Sequence, residues 1–198
     1  MRKIILASGS PRRKKILKDA GIRFRVINTN LNENLLIKKL KVLDSKKLVK
    51  ILSLLKCMGA CHHMYLHGDE IITGFDTMVV CKNKIIGKPK NKKDALNKLL
   101  FLSKKKHLVI TGMCIIDLKN KLVILDSCTT QVHMNNISKK EALEYIETKE
   151  PLDKAGAYAI QGKGKKFIKR IDGDYFNVVG LPVNQFIRII SKLNHSTT

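Results

Sequence analysis

Short apolar segments alternate along the chain with stretches in which apolar residues recur every three or four positions. The apolar runs at 4–7, 24–27 and 71–81 predict strands, and the last is rich in β-branched residues, as expected of a buried strand. The stretch from Leu35 to about Cys57 follows helical spacing, which predicts one long helix or two short ones. Strands that alternate with helices indicate the α/β class.

Turn and capping signals divide the rest of the chain into further elements. Pro11 and Gly21 bound one predicted helix, and Asn91 caps another. A capping box from Ser138 to Glu141 opens a third helix. The remaining predicted elements are paired strands at 107–117 and 122–132, a strand at 165–172, a terminal helix at 182–193, and loops at 28–34 and 59–69.

Length and composition exclude several classes of protein. The 198 residues fit one large domain or two small lobes, and we expect a single domain over 1–198. No apolar run approaches the roughly 18 residues of a membrane span, and the first residues lack the apolar core of a signal peptide. These features predict a cytoplasmic globular protein that does not associate with membranes.

The net charge of +23 is compatible with binding to nucleic acid, to an anionic membrane or to an anionic small ligand. The charge comes from 32 Lys and only 7 Arg, whereas sites that recognise bases favour Arg. Lys, Asn and Ile are also the residues of A/T-rich codons, so genome composition accounts for part of the charge. We therefore expect any nucleic-acid binding to be non-specific.

Cysteine and histidine residues concentrate in one patch of the sequence. The five cysteines form no compact disulfide framework, which fits a reducing compartment. One hypothesis for the patch is a zinc site, although the spacing is not that of a standard zinc ribbon or finger. The alternative is a helix end that continues into a variable loop. The patch consists of Cys57, Cys61, His62, His63 and His67.

Two segments carry residue types suited to phosphate and metal chemistry. Residues 8–13, Ser-Gly-Ser-Pro-Arg-Arg, join a strand to a helix, so backbone N–H groups, the helix N-terminus and two guanidinium groups are available to an anion. The alternative is a turn with two solvated arginines. Asp76 lies inside an apolar strand and needs a partner, because an unpaired buried charge is costly. That partner is a Lys or a backbone cap in a structural role, or a metal that activates water in a functional one.

Two further segments add polar groups with restricted backbones. Lys88 stands between Gly87 and Pro89, which limit the conformations of the turn that presents it. Residues 150–162 mix acidic, basic, small and amide side chains without an amphipathic period, which is not typical of ordinary surface. The amide of Gln161 both donates and accepts hydrogen bonds, which suits recognition of a base edge.

Together these segments resemble the Maf family of nucleoside triphosphate pyrophosphatases over residues 3 to about 190. The matching motifs, in order, are S-x-S-P-R-R, G-x-D-T-x-V, G-K-P, H-x-V-x-T, E-P-x-D-K-A-G-A-Y-x-I-Q-G and a closing segment at 174–182. The resemblance implies a two-lobed α/β fold with a mixed sheet, flanking helices and a cleft between the lobes. It also implies a homodimer that uses a divalent cation, Mg²⁺ or Mn²⁺, to hydrolyse a nucleotide to its monophosphate and pyrophosphate.

The resemblance further implies roles for individual residues. Asp76 matches the general base and Glu33 matches an acid on the metal or water side, so both are expected to be catalytic and metal-binding. The positions that match the phosphate side are Ser8, Arg13, Lys56 and Lys88. The positions that match base selection in the dTTP/UTP subgroup are Arg12, Thr77 and Gln161. His107 matches its motif and is assigned a structural role.

Two residues depart from the family pattern without altering the matched positions. Phe75 replaces the usual Ala before the Asp, and Cys57 replaces the Ala that usually follows the Lys. The leading hypothesis is a pyrophosphatase for dTTP, UTP or modified pyrimidine nucleotides. One alternative is the same chemistry on 7-methyl-GTP or another non-canonical nucleotide such as one carrying hypoxanthine, which Thr77 and Gln161 oppose. The other is a basic protein that binds nucleic acid or a cell-division partner, with vestigial catalysis, which the intact catalytic set opposes.

Overall fold

The computed structural model describes residues 2–29, 31–40, 44–62 and 68–195. The strands are β1 (Ile4–Leu6), β2 (Phe24–Val26), β3 (Ile71–Cys81), β4 (Lys84–Ile85), β5 (Lys106–Asp117), β6 (Leu122–Met134) and β7 (Ile168–Asp172). The α-helices are α1 (Pro11–Asp19), α2 (Glu33–Lys39), α3 (Ser45–His62), α4 (Lys92–Leu102), α5 (Lys139–Glu147), α6 (Tyr175–Val179) and α7 (Val183–His195). Three short 3-10 helices cover Glu150–Asp153, Ala155–Ala157 and Gly162–Phe167.

The strands form one mixed sheet in the order β2-β1-β3-β5-β6-β7, with β4 paired to β3. Strand β1 runs parallel to both neighbours, so that Ile4 lies beside Phe24 on one side and Ile71 on the other. Strands β4 and β7 run antiparallel to β3 and β6. The combination of a mixed sheet and flanking helices confirms the predicted α/β class.

The chain folds into two compact units, and each has its own apolar core. The first unit comprises Met1–Asp76, Thr111–Cys128 and Gly180–Thr198, and the second comprises Thr77–Ile110 and Thr129–Val179. In the first unit, Ile5, Ile72 and Cys114 from three strands pack with Cys57 and Ala60 of α3. In the second unit, α4 and α5 contribute most of the helical side chains of the core, including Leu99 and Tyr145. The assignment of 1–198 to one functional domain stays a prediction.

Several local predictions are confirmed, and three are wrong in detail. Glu33 begins α2 rather than lying in a loop, because the side chain of Asn32 caps that helix by accepting a hydrogen bond from Leu35 N at 3.1 Å. Helix α3 continues to His62, into the predicted loop 59–69, of which residues 63–67 lie outside the described ranges. The last strand begins at Ile168 rather than at 165, because the preceding residues form a 3-10 helix. The stretch predicted as one helix or two contains α2 and α3, and both predicted caps, at Asn91 and Ser138, are present.

Within the described ranges, no helix is long and apolar enough to span a membrane.

Candidate active site

The loop that follows β1 is organised around the hydroxyl group of Ser8. The backbone N–H of Ser10 donates to Ser8 Oγ at 3.3 Å, and Arg13 Nη1 donates to the same oxygen at 3.1 Å. Arg13 Nε donates to the backbone carbonyl of Gly180 at 2.9 Å, so the guanidinium is fixed at both ends. Gly180 has a φ of 123°, a value that favours glycine. Gly180 lies in the closing motif, but the motif alone indicates no role for it.

The guanidinium of Arg13 is buried close to two carboxylates. Arg13 is only 9% exposed, and burial lowers the pKa of its guanidinium from the ordinary value. The negative charges of Asp76 and Glu33 oppose that shift, whereas the positive charge of Arg12 reinforces it. The segment of residues 8–13 thus brings Arg13 near the two predicted catalytic acids, and Arg12 precedes it in the first turn of α1.

Gly74 allows α3 to approach β3 closely enough for a lysine to reach the buried acid. A Cβ atom at position 74 would lie 2.5 Å from the carbonyl oxygen of Ser53 and 2.8 Å from Cys57 Sγ, both in α3. Residues alternate between the faces of a strand, so Asp76 shares the face of Gly74. Phe75 points the other way and packs edge-on against Phe186 of α7, with ring centroids 5.6 Å apart.

The ammonium group of Lys56 lies between the two predicted catalytic carboxylates. Lys56 Nζ is 2.7 Å from Asp76 Oδ1 and 2.8 Å from Glu33 Oε1, and it also donates to the carbonyl of Phe75 at 3.1 Å. A lysine has three N–H donors, so these three acceptors match its full capacity. The side chains of Lys56 and Asp76 are 8% and 7% exposed, whereas that of Glu33 is 40% exposed. Asp76 is therefore a buried, paired acid next to a solvent-accessible one.

The first unit therefore assembles five of the predicted site residues in one cluster. These residues are Ser8, Arg13, Glu33, Lys56 and Asp76. The two cations and two anions of the cluster balance in charge. Such a cluster has acids that can hold a cation or accept a proton, and ammonium and guanidinium groups that can attract an anion.

Three other predicted site residues belong to the second unit. Thr77 is half-buried in β3, whereas Lys88 and Gln161 are exposed. The Gly-Lys-Pro turn lies against residues 150–162, because the N–H of Gly156 donates to the carbonyls of Ile86 at 3.1 Å and Gly87 at 3.3 Å. Two motifs that are separated by more than 60 positions in the sequence are thus neighbours in this unit.

His107 is a buried group in the interior of the second unit. Its Nε2 lies 2.7 Å from the hydroxyl oxygen of Tyr158, and its Nδ1 has no hydrogen-bond partner among the described residues. Burial lowers the pKa of His107 to about 4, and the nearby His133 contributes to the shift. The imidazole is therefore neutral at pH 7 and links β5 to residues 150–162, which fits the structural role assigned to it.

The patch of cysteines and histidines gives no support to the zinc hypothesis. Cys57 is fully buried, and its Sγ lies 3.5 Å from the carbonyl of Cys114. Burial raises the pKa of its thiol well above the ordinary value, which disfavours the thiolate that binds metal. Across 2–29, 31–40, 44–62 and 68–195, no three His, Cys, Asp or Glu side chains form a group suited to a metal ion. His63 and His67 lie outside these ranges.

Comparison with known proteins gives one family over nearly the whole chain. A family model described as Maf-like protein matches residues 3–193. This chain belongs to the Maf family. The dTTP/UTP pyrophosphatase of Alkaliphilus oremlandii is 44% identical over 183 residues, which are 92% of either chain. Proteins with the same name from Alkaliphilus metalliredigens and Bacillus anthracis are 43% and 41% identical, and the matches cover at least 98% of each chain.

Membership in the family confirms the resemblance inferred from the motifs. The structure also identifies contacts that the motifs do not reveal. The carbonyls of Phe75 and Gly180 hold Lys56 and Arg13, and a backbone carbonyl leaves no signature in the sequence. The motif includes the glycine at position 74 but does not explain it. Glycine is required there because α3 lies too close to β3 to leave room for a Cβ.

Proposed function

We propose that this protein hydrolyses dTTP and UTP between the α and β phosphates to release pyrophosphate and the nucleoside monophosphate. The observation that carries the proposal is the cluster in which Lys56 joins Asp76 to Glu33 beside the buried Arg13. Support for the substrates comes from the curated relatives, which are named dTTP/UTP pyrophosphatases and match nearly the whole chain.

The donor set of the cluster fits a divalent cation. The oxygens of Asp76 and Glu33 both lie within 2.8 Å of Lys56 Nζ, so the two carboxylates converge on one point, which the ammonium group occupies. Carboxylate oxygens are the ligands that Mg²⁺ and Mn²⁺ prefer. The cluster is neutral in sum and does not by itself compensate a triphosphate. We propose Asp76 and Glu33 as the residues that hold the cation, which would stabilise charge on the phosphate oxygens.

The other residues of the site have roles that follow from their chemistry. Asp76 orients the attacking water and accepts its proton, as a buried carboxylate beside fixed cations can. Ser8, Arg13, Lys56 and Lys88 are proposed for the phosphate side, and Arg12, Thr77 and Gln161 for base selection. Positioning and charge stabilisation supply most of the catalysis in phosphoryl transfer, so no covalent nucleophile is required.

The test is a nucleotide panel assayed for all products. The purified protein is incubated with dTTP, UTP, CTP, ATP, GTP, inosine triphosphate and 7-methyl-GTP, with Mg²⁺, with Mn²⁺ and with EDTA. We expect dTTP and UTP to give pyrophosphate and monophosphate at comparable kcat/KM, with ATP and GTP far behind and no turnover in EDTA. Orthophosphate as the first product would overturn the position of cleavage, and faster cleavage of 7-methyl-GTP or inosine triphosphate would overturn the base assignment.

Homodimerisation and a cytoplasmic location stay predictions. Light scattering after gel filtration gives the mass in solution, and a mass near the monomer value of 22.4 kDa would contradict a dimer.

A further inference from the structure

The carboxylate of Glu150 collects three hydrogen-bond donors from two parts of the second unit. Its Oε1 accepts from the hydroxyl group of Tyr145 at 2.9 Å and from the N–H of Gly164 at 3.2 Å. Its Oε2 accepts from the N–H of Lys163 at 3.1 Å. Glu150 thus joins the last turn of α5 to the first turn of the 3-10 helix at Gly162–Phe167.

The chain closes tightly around this carboxylate. Gly162 has a φ of 80°, and a Cβ there would lie 2.8 Å from Glu150 Oε2. A Cβ at Gly164 would lie 2.6 Å from the hydroxyl oxygen of Tyr145. The same hydroxyl accepts a hydrogen bond from the N–H of Ala159 at 3.2 Å. Burial, together with the bond to Glu150, raises the pKa of Tyr145, so the phenol stays protonated and donates to the carboxylate.

These contacts hold the backbone on both sides of Gln161. Ala159, two residues before it, is tied to Tyr145, and Lys163 and Gly164, two and three residues after it, are tied to Glu150. Gln161 itself is exposed, and its side chain makes no capping hydrogen bond to the 3-10 helix that it precedes. The held backbone therefore fixes the point from which the side chain of Gln161 extends.

We infer that Glu150 and Tyr145 are positioning residues that hold Gln161 in place for base recognition. They thereby contribute to the preference for pyrimidine nucleotides indirectly, through Gln161. This inference rests on the proposed function, in which Gln161 selects the base. In this inference, Glu150 and Tyr145 act through Gln161 and not by contact with the substrate.

A carboxylate is needed at position 150 because both of its oxygens accept hydrogen bonds, and the three groups around it all donate. In Glu150→Gln, the amide keeps one oxygen and places an NH₂ group against an N–H of the loop, so at least one donor loses its partner. The loop then samples several conformations, and the hydrogen bond from Gln161 to the base is lost for part of the time. A single hydrogen bond is worth up to about tenfold in an equilibrium constant, so we expect the selectivity to fall by about tenfold.

The experiment compares Glu150→Gln with a variant that removes the same charge nearby. Glu147→Gln is the control, because Glu147 ends α5, is exposed and pairs only with Lys92 among the contacts described for it. Tyr145→Phe is the second test, since it removes one of the three donors to Glu150 and the acceptor of the Ala159 N–H, but keeps the donors at Lys163 and Gly164. The measurements are kcat/KM for UTP and GTP, the thermal midpoint, and hydrogen exchange of the amides at 159–164 in the metal-loaded protein.

The expected result is a fall of about tenfold in the ratio of kcat/KM for UTP to that for GTP in Glu150→Gln, a smaller fall in Tyr145→Phe and none in Glu147→Gln. Exchange at 163 and 164 should accelerate in the same order. Adding Glu150→Gln to Gln161→Ala should change the ratio little, because both act through one amide.

An unchanged ratio in Glu150→Gln, or an equal loss on UTP and GTP with a lower thermal midpoint, would overturn the inference and leave only a structural role. If Glu150→Gln does not fold, an unchanged ratio in Tyr145→Phe overturns it equally. Failure of the proposed function is separate, since it appears in the wild-type protein as no preference for UTP over GTP.

Discussion

Removal of the Lys56 ammonium group tests whether the candidate active site is an interdependent charge cluster. Lys56→Met keeps the length and apolar stem of the side chain but leaves Asp76 without its buried partner. Both side chains are at most 8% exposed and their charged atoms are 2.7 Å apart. Removing one partner of a buried ion pair costs about 3–5 kcal/mol, because the other charge stays buried. Glu33 is solvent-accessible, so its share is below about 1 kcal/mol.

The assay is the shift in the denaturation midpoint relative to a matched control. For a chain of this length, about 3–5 kcal/mol corresponds to roughly 6–20 °C in the thermal midpoint. Lys47→Met is the control, since Lys47 lies in the same helix, is 72% exposed and is 3.7 Å from an exposed Asp44. Surface changes of this kind usually stay within about 0.5 kcal/mol.

Two further measurements separate the ion pair from a loss of packing. The double variant Lys56→Met with Asp76→Asn should lose less stability than the two single variants summed, because the second change removes the orphaned charge. Mn²⁺ should raise the midpoint of Lys56→Met more than that of the wild type, since the ammonium and the metal compete for the same oxygens. Equal losses in Lys56→Met and Lys47→Met, or additive losses in the double variant, would refute the reasoning.

Three other predictions follow from the structure. Asp76→Asn should lower kcat by roughly 10²-fold or more while circular dichroism stays native, and near-normal turnover by the folded variant would contradict its role as the base. The pKa of His107 is about 4 in the folded protein and 6.5 ordinarily, so the contribution of its neutral imidazole to the free energy of unfolding should be complete above pH 6.5 and should be lost as the pH falls from about 6.5 to about 4. Urea midpoints should show this pH dependence in the wild type and not in His107→Gln. Gly112→Ala should be strongly destabilising in thermal melts, since a Cβ there would lie 2.3 Å from the backbone carbonyl of Val49. Gly21→Ala should show only the cost of its positive φ, because no atom of the described residues lies within 4 Å of a Cβ there.

Most of the fold could be predicted because its signals are local. Strand β3 was predicted at its observed bounds, Ile71–Cys81, from one apolar, β-branched run. The caps at Asn91 and Ser138 were predicted because a side chain that bonds to an N–H three residues ahead is a sequence-local event. Helix α2 was partly missed, because Asn and Glu favour loops and helix starts alike and only the bond from Leu35 N to Asn32 distinguishes the two.

The composition of the candidate site could be predicted, but its internal connections could not. The motifs identified Asp76, Glu33 and Lys56 without showing that one ammonium group joins the two acids. The motif at 150–162 includes Glu150 but does not indicate that its oxygens accept hydrogen bonds from backbone N–H groups. Contacts between residues 13 to 167 positions apart depend on how helices and strands pack, and a single sequence carries no direct signal of that packing.

The Gly-x-Asp-Thr motif joins a packing requirement to a chemical one. Without a side chain at position 74, α3 packs against β3 at backbone distance, and this approach brings Lys56 to Asp76. The intervening residue faces the opposite side of the strand, where Phe75 packs against Phe186. The replacement of the usual Ala by Phe is therefore absorbed by the contact with α7 and not by the carboxylate. A motif whose first and third letters share one face of a strand can thus keep its chemistry while the letter between them varies with the packing behind it.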